Sequence, residues 1–262
     1  MPRALVVGVN YVGQNCELQG CANDAVAMAK FLTGRGYVVT QMIDSKMPEE
    51  KTQVPPTRQN ILRGLVDIIL SGDEVLFFSF AGHGSREHDA SGDESDGKDE
   101  VLCPVDLDKG MISDDALRGV LQLMEPHQKL FCVLDCCHSG TGMDLKYEMF
   151  DRGGTQYRFL EAPTGAAKLA RTPGAVFMLS GCQDDQTSAE STVAATGGQQ
   201  VRGALTAATV PIMESLLAKK GSVECGELLG AVRRALREQG HSQIAQLSSG
   251  QSAAGTAGIP IL

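Results

Sequence analysis

The 262-residue chain has no apolar run of the roughly 18–20 residues that a membrane span requires. Its best stretch, residues 61–70, is short and is interrupted by Arg63 and Asp67. The first ten residues, MPRALVVGVN, are too short an apolar stretch for a secretory signal. Positive charge is also scarce: 23 Lys and Arg stand against 32 Asp and Glu, a net charge of −9. A protein that tracks a nucleic-acid backbone needs a basic face, so nucleic acid is excluded as the main partner. Cysteine is too sparse for a disulfide scaffold, which usually exceeds about 8% of residues. There are eight: Cys16, Cys21, Cys103, Cys132, Cys136, Cys137, Cys182 and Cys225. Cys136 and Cys137 are neighbours, which seldom bridge. The expectation is free thiols in a reducing compartment, hence a cytoplasmic protein with no membrane partner.

What is present is a globular composition, 42% hydrophobic and 21% charged, arranged as alternating strands and helices. Leu5–Val9 is a continuous apolar run that suits a buried parallel strand. Asn23-Asp24 reads as the cap of a helix that stops at Gly34 and Gly36. Strands are predicted at 37–43, 74–81, 129–134 and 175–179, with a short one near 244–247. Helices are predicted from Thr57 to Leu70, and over 114–124, 201–217 and 223–238. This alternation is an α/β fold with a central, mostly parallel β-sheet flanked by helices on both faces. Sites in such folds lie beyond the carboxyl ends of the strands. That rule selects the loops after Val9, Ala81 and Leu134. Residues 85–100 read as an acidic loop and residues 141–174 as a long polar segment.

Two of these loops carry unusual chemistry. His83 sits between Gly82 and Gly84 at the end of an apolar strand, where glycine allows close approach. Taken alone, it is equally a surface turn. The second loop is Asp135-Cys-Cys-His-Ser-Gly140, which ends another apolar strand. A cysteine opening a helical turn there would gain from the helix N-terminal amides. A Cys and a His within hydrogen-bond reach are the minimum apparatus for thiolate attack on a carbonyl. The backbone N–H groups of Gly84 and Cys137 could hold the resulting oxyanion.

The acidic loop holds Glu87, Asp89, Asp93, Glu94, Asp96, Asp99 and Glu100. Such density is usually solvated, but it also suits a hard cation that takes oxygen ligands. It does not fit an EF-hand, because with Gly97 at the sixth loop position Cys103 would fall at the twelfth. Ligands from elsewhere, Asp114, Asp115 and Asp144, would be needed. The glycines around Val9–Asn15 lack the Lys and Ser/Thr of a phosphate-binding loop. Zinc is set aside because His83 and His88 have no paired cysteines at ligand spacing.

These segments together resemble a metacaspase, a member of the caspase-like cysteine peptidase clan. Phe80-Ala-Gly-His-Gly-Ser85 resembles its catalytic-histidine motif, and Asp135-Cys-Cys-His-Ser-Gly140 its catalytic-cysteine motif. Leu18–Ala25, Asp96–Asp106, Ser180–Ala189 and Gly203–Thr206 also match. The resemblance implies one caspase-like domain. Residues 1–140 would be the large-subunit-like half carrying the dyad, 141–174 a connector, and 175–262 the small-subunit-like half. It implies Cys137 as nucleophile, His83 as general acid/base, and Cys136 as a variable neighbour. Asp24 and Asp135, with Cys21 beside them, would line the S1 pocket. Two carboxylates there select Arg or Lys before the cut. Asp99, Asp114, Asp115 and Asp144 would bind activating Ca²⁺, with Glu100 as an extra oxygen ligand.

Position 81 is Ala where several relatives carry Ser, which leaves Arg against Lys open. No Pro- or Gln-rich prodomain precedes Met1, as in a type I core without its prodomain. A monomer is implied, unlike the dimeric caspases. The expected activity is a Ca²⁺-dependent endopeptidase acting on proteins or peptides with Arg or Lys before the scissile bond. Self-cleavage is expected within 141–174, which holds Lys146, Arg152, Arg158, Lys168 and Arg171. Two alternatives are a calcium-responsive binding module without turnover and a redox sensor built on Cys136 and Cys137.

Overall fold

The computed structural model describes residues 1–44, 54–88, 98–137, 142–151, 157–162, 171–181, 190–195 and 198–252. Its main sheet is built from β1 (Arg3–Val9), β2 (Val38–Asp44), β3 (Val75–Ala81), β7 (Lys129–Asp135), β8 (Tyr147–Asp151), β9 (Tyr157–Glu161), β10 (Ala175–Ser180) and β13 (Gln246–Ser249). The remaining strands form two small sheets. One holds β4 (Gly84–His88), β5 (Lys98–Leu102) and β6 (Ile112–Ser113); the other holds β11 (Glu190–Ala195) and β12 (Gly198–Gly203). The helices are α1 (Cys21–Thr33), α2 (Arg58–Ile69), α3 (Asp114–Leu121), α4 (Ala204–Lys220) and α5 (Cys225–Glu238).

The eight-stranded sheet runs in the order β2-β1-β3-β7-β10-β13-β8-β9. Its first five strands pair in parallel, and the last three join antiparallel. Side chains alternate across each strand. In β1, Ala4 and Val6 face a core shared with α1, α4 and α5, while Leu5, Val7 and Val9 face one shared with α2 and α3. Both faces are therefore covered, as a parallel sheet requires. Among the described residues no helix is long and apolar enough to cross a membrane.

The sequence expectations differ from this fold in places with identifiable causes. Helix α1 begins at Cys21, not after Asn23-Asp24, because its start is held from outside. The Ala22 N–H donates to Asn10 Oδ1 at 3.1 Å, while Asn23 Nδ2 donates to the Val201 carbonyl at 2.8 Å. Helix α4 begins at Ala204, since Val201 and Arg202 are taken up by β12. The flanks of the acidic loop are the paired strands β4 and β5. The segment 141–174 contributes β8 and β9 to the sheet. Period-2 patterns this short, full of charged residues, carry little signal without their partner strand. By contrast, Thr57 caps α2 as expected, its side chain accepting from the Asn60 N–H at 3.3 Å.

Candidate active site

Strands β3 and β7 are adjacent and parallel, and their register pairs Ala81 with Asp135. His83 and Cys137 each lie two residues beyond that pair, so both emerge at one edge of the sheet. The loops touch. A Cβ added to Gly84 would lie 2.0 Å from the Cys137 carbonyl oxygen and 3.3 Å from Cys136 Sγ. Only glycine lets the two backbones come this close. The structure thus brings together His83, Gly84, Cys136 and Cys137. Cys136 is buried and Cys137 partly exposed. The helical turn expected to open at the cysteines would run into His138, Ser139 and Gly140, which lie outside the described residues.

The imidazole of His83 is held on two sides. Its Nε2 is 2.8 Å from the Cys16 carbonyl oxygen. A carbonyl only accepts, so this contact assigns the proton to Nε2 and leaves Nδ1 as the basic nitrogen. Its ring packs against Tyr11 at 4.8 Å between centroids. The Tyr11 hydroxyl accepts from the His83 backbone N–H at 2.8 Å and donates to the Cys103 carbonyl at 2.7 Å. Tyr11 is fully buried, and burial pushes its phenol far above the ordinary range, so it stays protonated. Its φ of 54° is the left-handed conformation, rare for a bulky residue and found where the surroundings impose it. Asp44 imposes much of it, accepting from the Asn10 and Val12 N–H groups on either side.

Neither Tyr11 nor the Cys16 carbonyl was legible as a site group in the sequence. A backbone carbonyl has no residue signature, and one tyrosine after a strand reads as core. Tyr11→Phe should lower kcat about tenfold by loosening His83, with KM little changed and the pH–rate profile displaced. It should also cost about 1–3 kcal/mol of stability, because two buried backbone groups lose their partner. Parallel denaturant titrations and pH–rate profiles would separate the two effects, and an unchanged profile would count against a positioning role.

The carboxylates read as an S1 pocket also converge. A Cβ on Gly203 would lie 2.2 Å from Asp135 Oδ2 and 2.9 Å from Asp24 Oδ2. Asp24 is buried and accepts from the Gly203 N–H at 2.7 Å and from Arg202 Nε at 3.2 Å. Burial, reinforced by the neighbouring Asp135 charge, holds its carboxyl well above the usual range. Asp135 Oδ2 accepts from both the N–H and the hydroxyl of Thr206 at 2.8 Å. Cys21 is buried at the start of α1, three residues before Asp24. Its carbonyl would lie 2.2 Å from a Cβ on Gly8, so that glycine lets α1 sit directly on β1. The sequence did not single out Arg202, and it named Thr206 only as the end of the matching segment Gly203–Thr206, with no role.

The residues read as calcium ligands divide. Asp99, Glu100 and Asp114 are buried side by side. Asp114 Oδ2 accepts from the Glu100 N–H, and Oδ1 from the Asp115 N–H, both at 2.8 Å. Burial, together with the Glu100 and Asp99 charges, pushes the Asp114 carboxyl up to about 8. Glu100 pairs with Arg86 at 3.0 Å. Asp144 is buried with a left-handed φ of 47°, and its carbonyl accepts from Arg118 of α3, the helix that Asp114 opens. Asp115 is exposed. All these donors are oxygens, and they crowd negative charge that a hard cation would offset. The donor chemistry fits Ca²⁺, although among the described residues no three such side chains are gathered around one point.

Parallel strands ending in a His loop and a Cys loop, with two buried carboxylates alongside, suit a caspase-like cysteine peptidase. A solved structure, protein GSU0716 from Geobacter sulfurreducens, superposes with a TM-score of 0.65 at 21% identity, covering 99% of this chain and 98% of that one. That likeness concerns the fold. Residues 2–146 match the family described as metacaspase, peptidase C14 domain. The chain is 34% identical over 264 aligned positions to Metacaspase-2 of Trypanosoma brucei brucei, covering 95% of this chain and 73% of that protein. It is 36% identical over 245 positions to Metacaspase-2 of Arabidopsis thaliana, covering 90% and 56%. The chain belongs to the metacaspase family of cysteine peptidases.

Proposed function

We propose that this metacaspase is a Ca²⁺-dependent endopeptidase that cuts proteins or peptides after Arg or Lys, acting as a monomer. The observation that carries the reading is the register of β3 and β7, from which His83, Cys137 and the Asp135 wall of the pocket all follow. In the proposed mechanism, His83 Nδ1 takes the proton of the Cys137 thiol as Sγ attacks the scissile carbonyl. The oxyanion is held by the backbone N–H groups of Gly84 and Cys137. The C–N bond then breaks, and His83 returns the proton to the leaving amine. Water, deprotonated by His83, attacks the thioester, and the acid leaves as the thiol reforms. Asp24 and Asp135 hold the basic side chain before the cut.

Asp99, Asp114, Asp115 and Asp144 would hold Ca²⁺, with Glu100 as a further oxygen. Bound there, the ion would offset the carboxylate charge crowded between β5 and the start of α3. The test is hydrolysis of fluorogenic peptides ending in Arg, Lys or Asp, with Ca²⁺ or with chelator. Cleavage of the basic peptides only, lost in chelator and weakened in Asp114→Asn, is the expected result. Equal rates in chelator would remove the calcium part. Absence of all cleavage with Ca²⁺ still bound would favour a non-catalytic module. The same incubation read by mass spectrometry tests self-cleavage within 141–174. Of the basic residues there, Lys146 immediately precedes β8 and Arg158 lies in β9, while Arg152 and Lys168 lie outside the described residues.

A further inference from the structure

The acidic pocket is already engaged by a cation of the chain itself. Arg202 is the penultimate residue of β12, and Asn23 of α1 ties that strand down through the Val201 carbonyl. The Arg202 side chain is only 11% exposed, and its Nε meets Asp24 Oδ1 at 3.2 Å. This is a single contact through Nε, not the two-pronged fork that guanidinium and carboxylate form when both are free to align. Arg202 Nη2 is buried and has no hydrogen-bond partner among the described residues. The guanidinium therefore carries its desolvation cost with only part of its hydrogen bonding made. A buried Arg held this incompletely is a poor structural anchor and an easily exchanged ligand.

We infer that Arg202 is a specificity-determining residue: the internal occupant of the acidic pocket, which a substrate's basic side chain must displace. The inference rests on the reading of Asp24 and Asp135 as the pocket for that side chain. Displacement discriminates between the two basic residues. An incoming guanidinium can present two aligned N–H groups and replace the single Arg202 contact with a better one. An ammonium presents a point charge, strongly hydrated, and replaces it less well. With Arg202 in place the pocket therefore favours Arg over Lys. Without it, the two carboxylates lack their internal counter-charge and accept either cation.

The test compares Arg- and Lys-ended fluorogenic peptides on the wild-type chain, Arg202→Gln and Arg202→Lys. For Arg202→Gln the expected result is a KM for the Arg peptide about tenfold lower, and an Arg-to-Lys ratio in kcat/KM that falls several-fold. Arg202→Lys keeps the charge on a different head group and should lie between. An unchanged KM and ratio in a folded Arg202→Gln would overturn the inference while leaving the peptidase reading intact. Failure of the wild type and Arg202→Gln to cleave any basic peptide would overturn both. Activity in the variant alone would support a tightly held occupant.

A second measurement needs no variant. Agmatine, a small guanidine that itself consumes phenylglyoxal, is added to the wild-type chain, and phenylglyoxal modification of Arg202 is followed by mass spectrometry relative to that of the exposed Arg63 in the same sample. Faster modification with agmatine is expected, because displacement exposes the side chain. Modification that is unchanged or slowed at an agmatine concentration that inhibits peptide hydrolysis, or agmatine that does not inhibit at all, would count against displacement.

Discussion

Cys137→Ala should lower kcat/KM on an Arg-ended peptide by about three orders of magnitude or more, while Cys136→Ala keeps most of the activity. The two residues are adjacent and chemically identical, so the difference is purely one of position. Cys136 is 1% exposed and packs in the apolar cluster with Leu134 and Met143. Its sulfur points towards Gly84, and shortening it removes one buried atom, a cost of about 1 kcal/mol in packing. Cys137 is partly exposed and follows by two residues the Asp135 that registers with Ala81. Its loss removes the attacking atom, and no neighbouring group can replace it. Iodoacetamide labelling should mark Cys137 first, with the rate falling when a substrate analogue is bound. A folded Cys136→Ala as inactive as Cys137→Ala would reverse the assignment.

Asp24→Asn should lower kcat/KM for the Arg peptide by about a hundredfold and remove part of its acid limb. Asp24 is buried beside Asp135, and both effects favour its protonated form. The sign follows directly. Raising the pH ionises Asp24, restores its negative charge to the pocket, and increases kcat/KM for a cationic side chain. Lowering the pH protonates Asp24 at a pH above that of an ordinary carboxyl, so activity falls earlier on the acid side. The neighbouring Asp135 charge adds to the cost of ionising Asp24. Substituting Asn keeps the shape and the acceptor for the Gly203 N–H but removes the charge. Profiles of kcat/KM against pH for both proteins, with one Arg peptide, check this. Superimposable acid limbs would show that the limb belongs to other groups, His83 among them.

Much of this protein was legible in its residues. The apolar runs at β1, β3, β7 and β10, each ending at an unusual polar motif, gave the parallel core and the edge where chemistry sits. His83 between glycines and the paired cysteines could be read because each is a side chain with its own chemistry, placed next to a strong strand signal; Asp24 and Asp135 entered as pocket residues only through the family resemblance. The charged strands β4 and β5 could not be read, nor β8, β9, β11 and β12, because short charged or polar runs carry little period-2 signal and are held by pairing with their hairpin partners. Register is a tertiary quantity. Only the pairing of Ala81 with Asp135 sets His83 beside Cys137 across 54 residues. The same holds for the Cys16 carbonyl on His83, for Tyr11 joining the His83 N–H to the Cys103 carbonyl, and for Arg202 against Asp24. Sequence fixes which groups are available and at which strand end. Only the folded chain decides which of them meet, because backbone contacts and desolvated ion pairs depend on approach in space, which residue spacing does not encode.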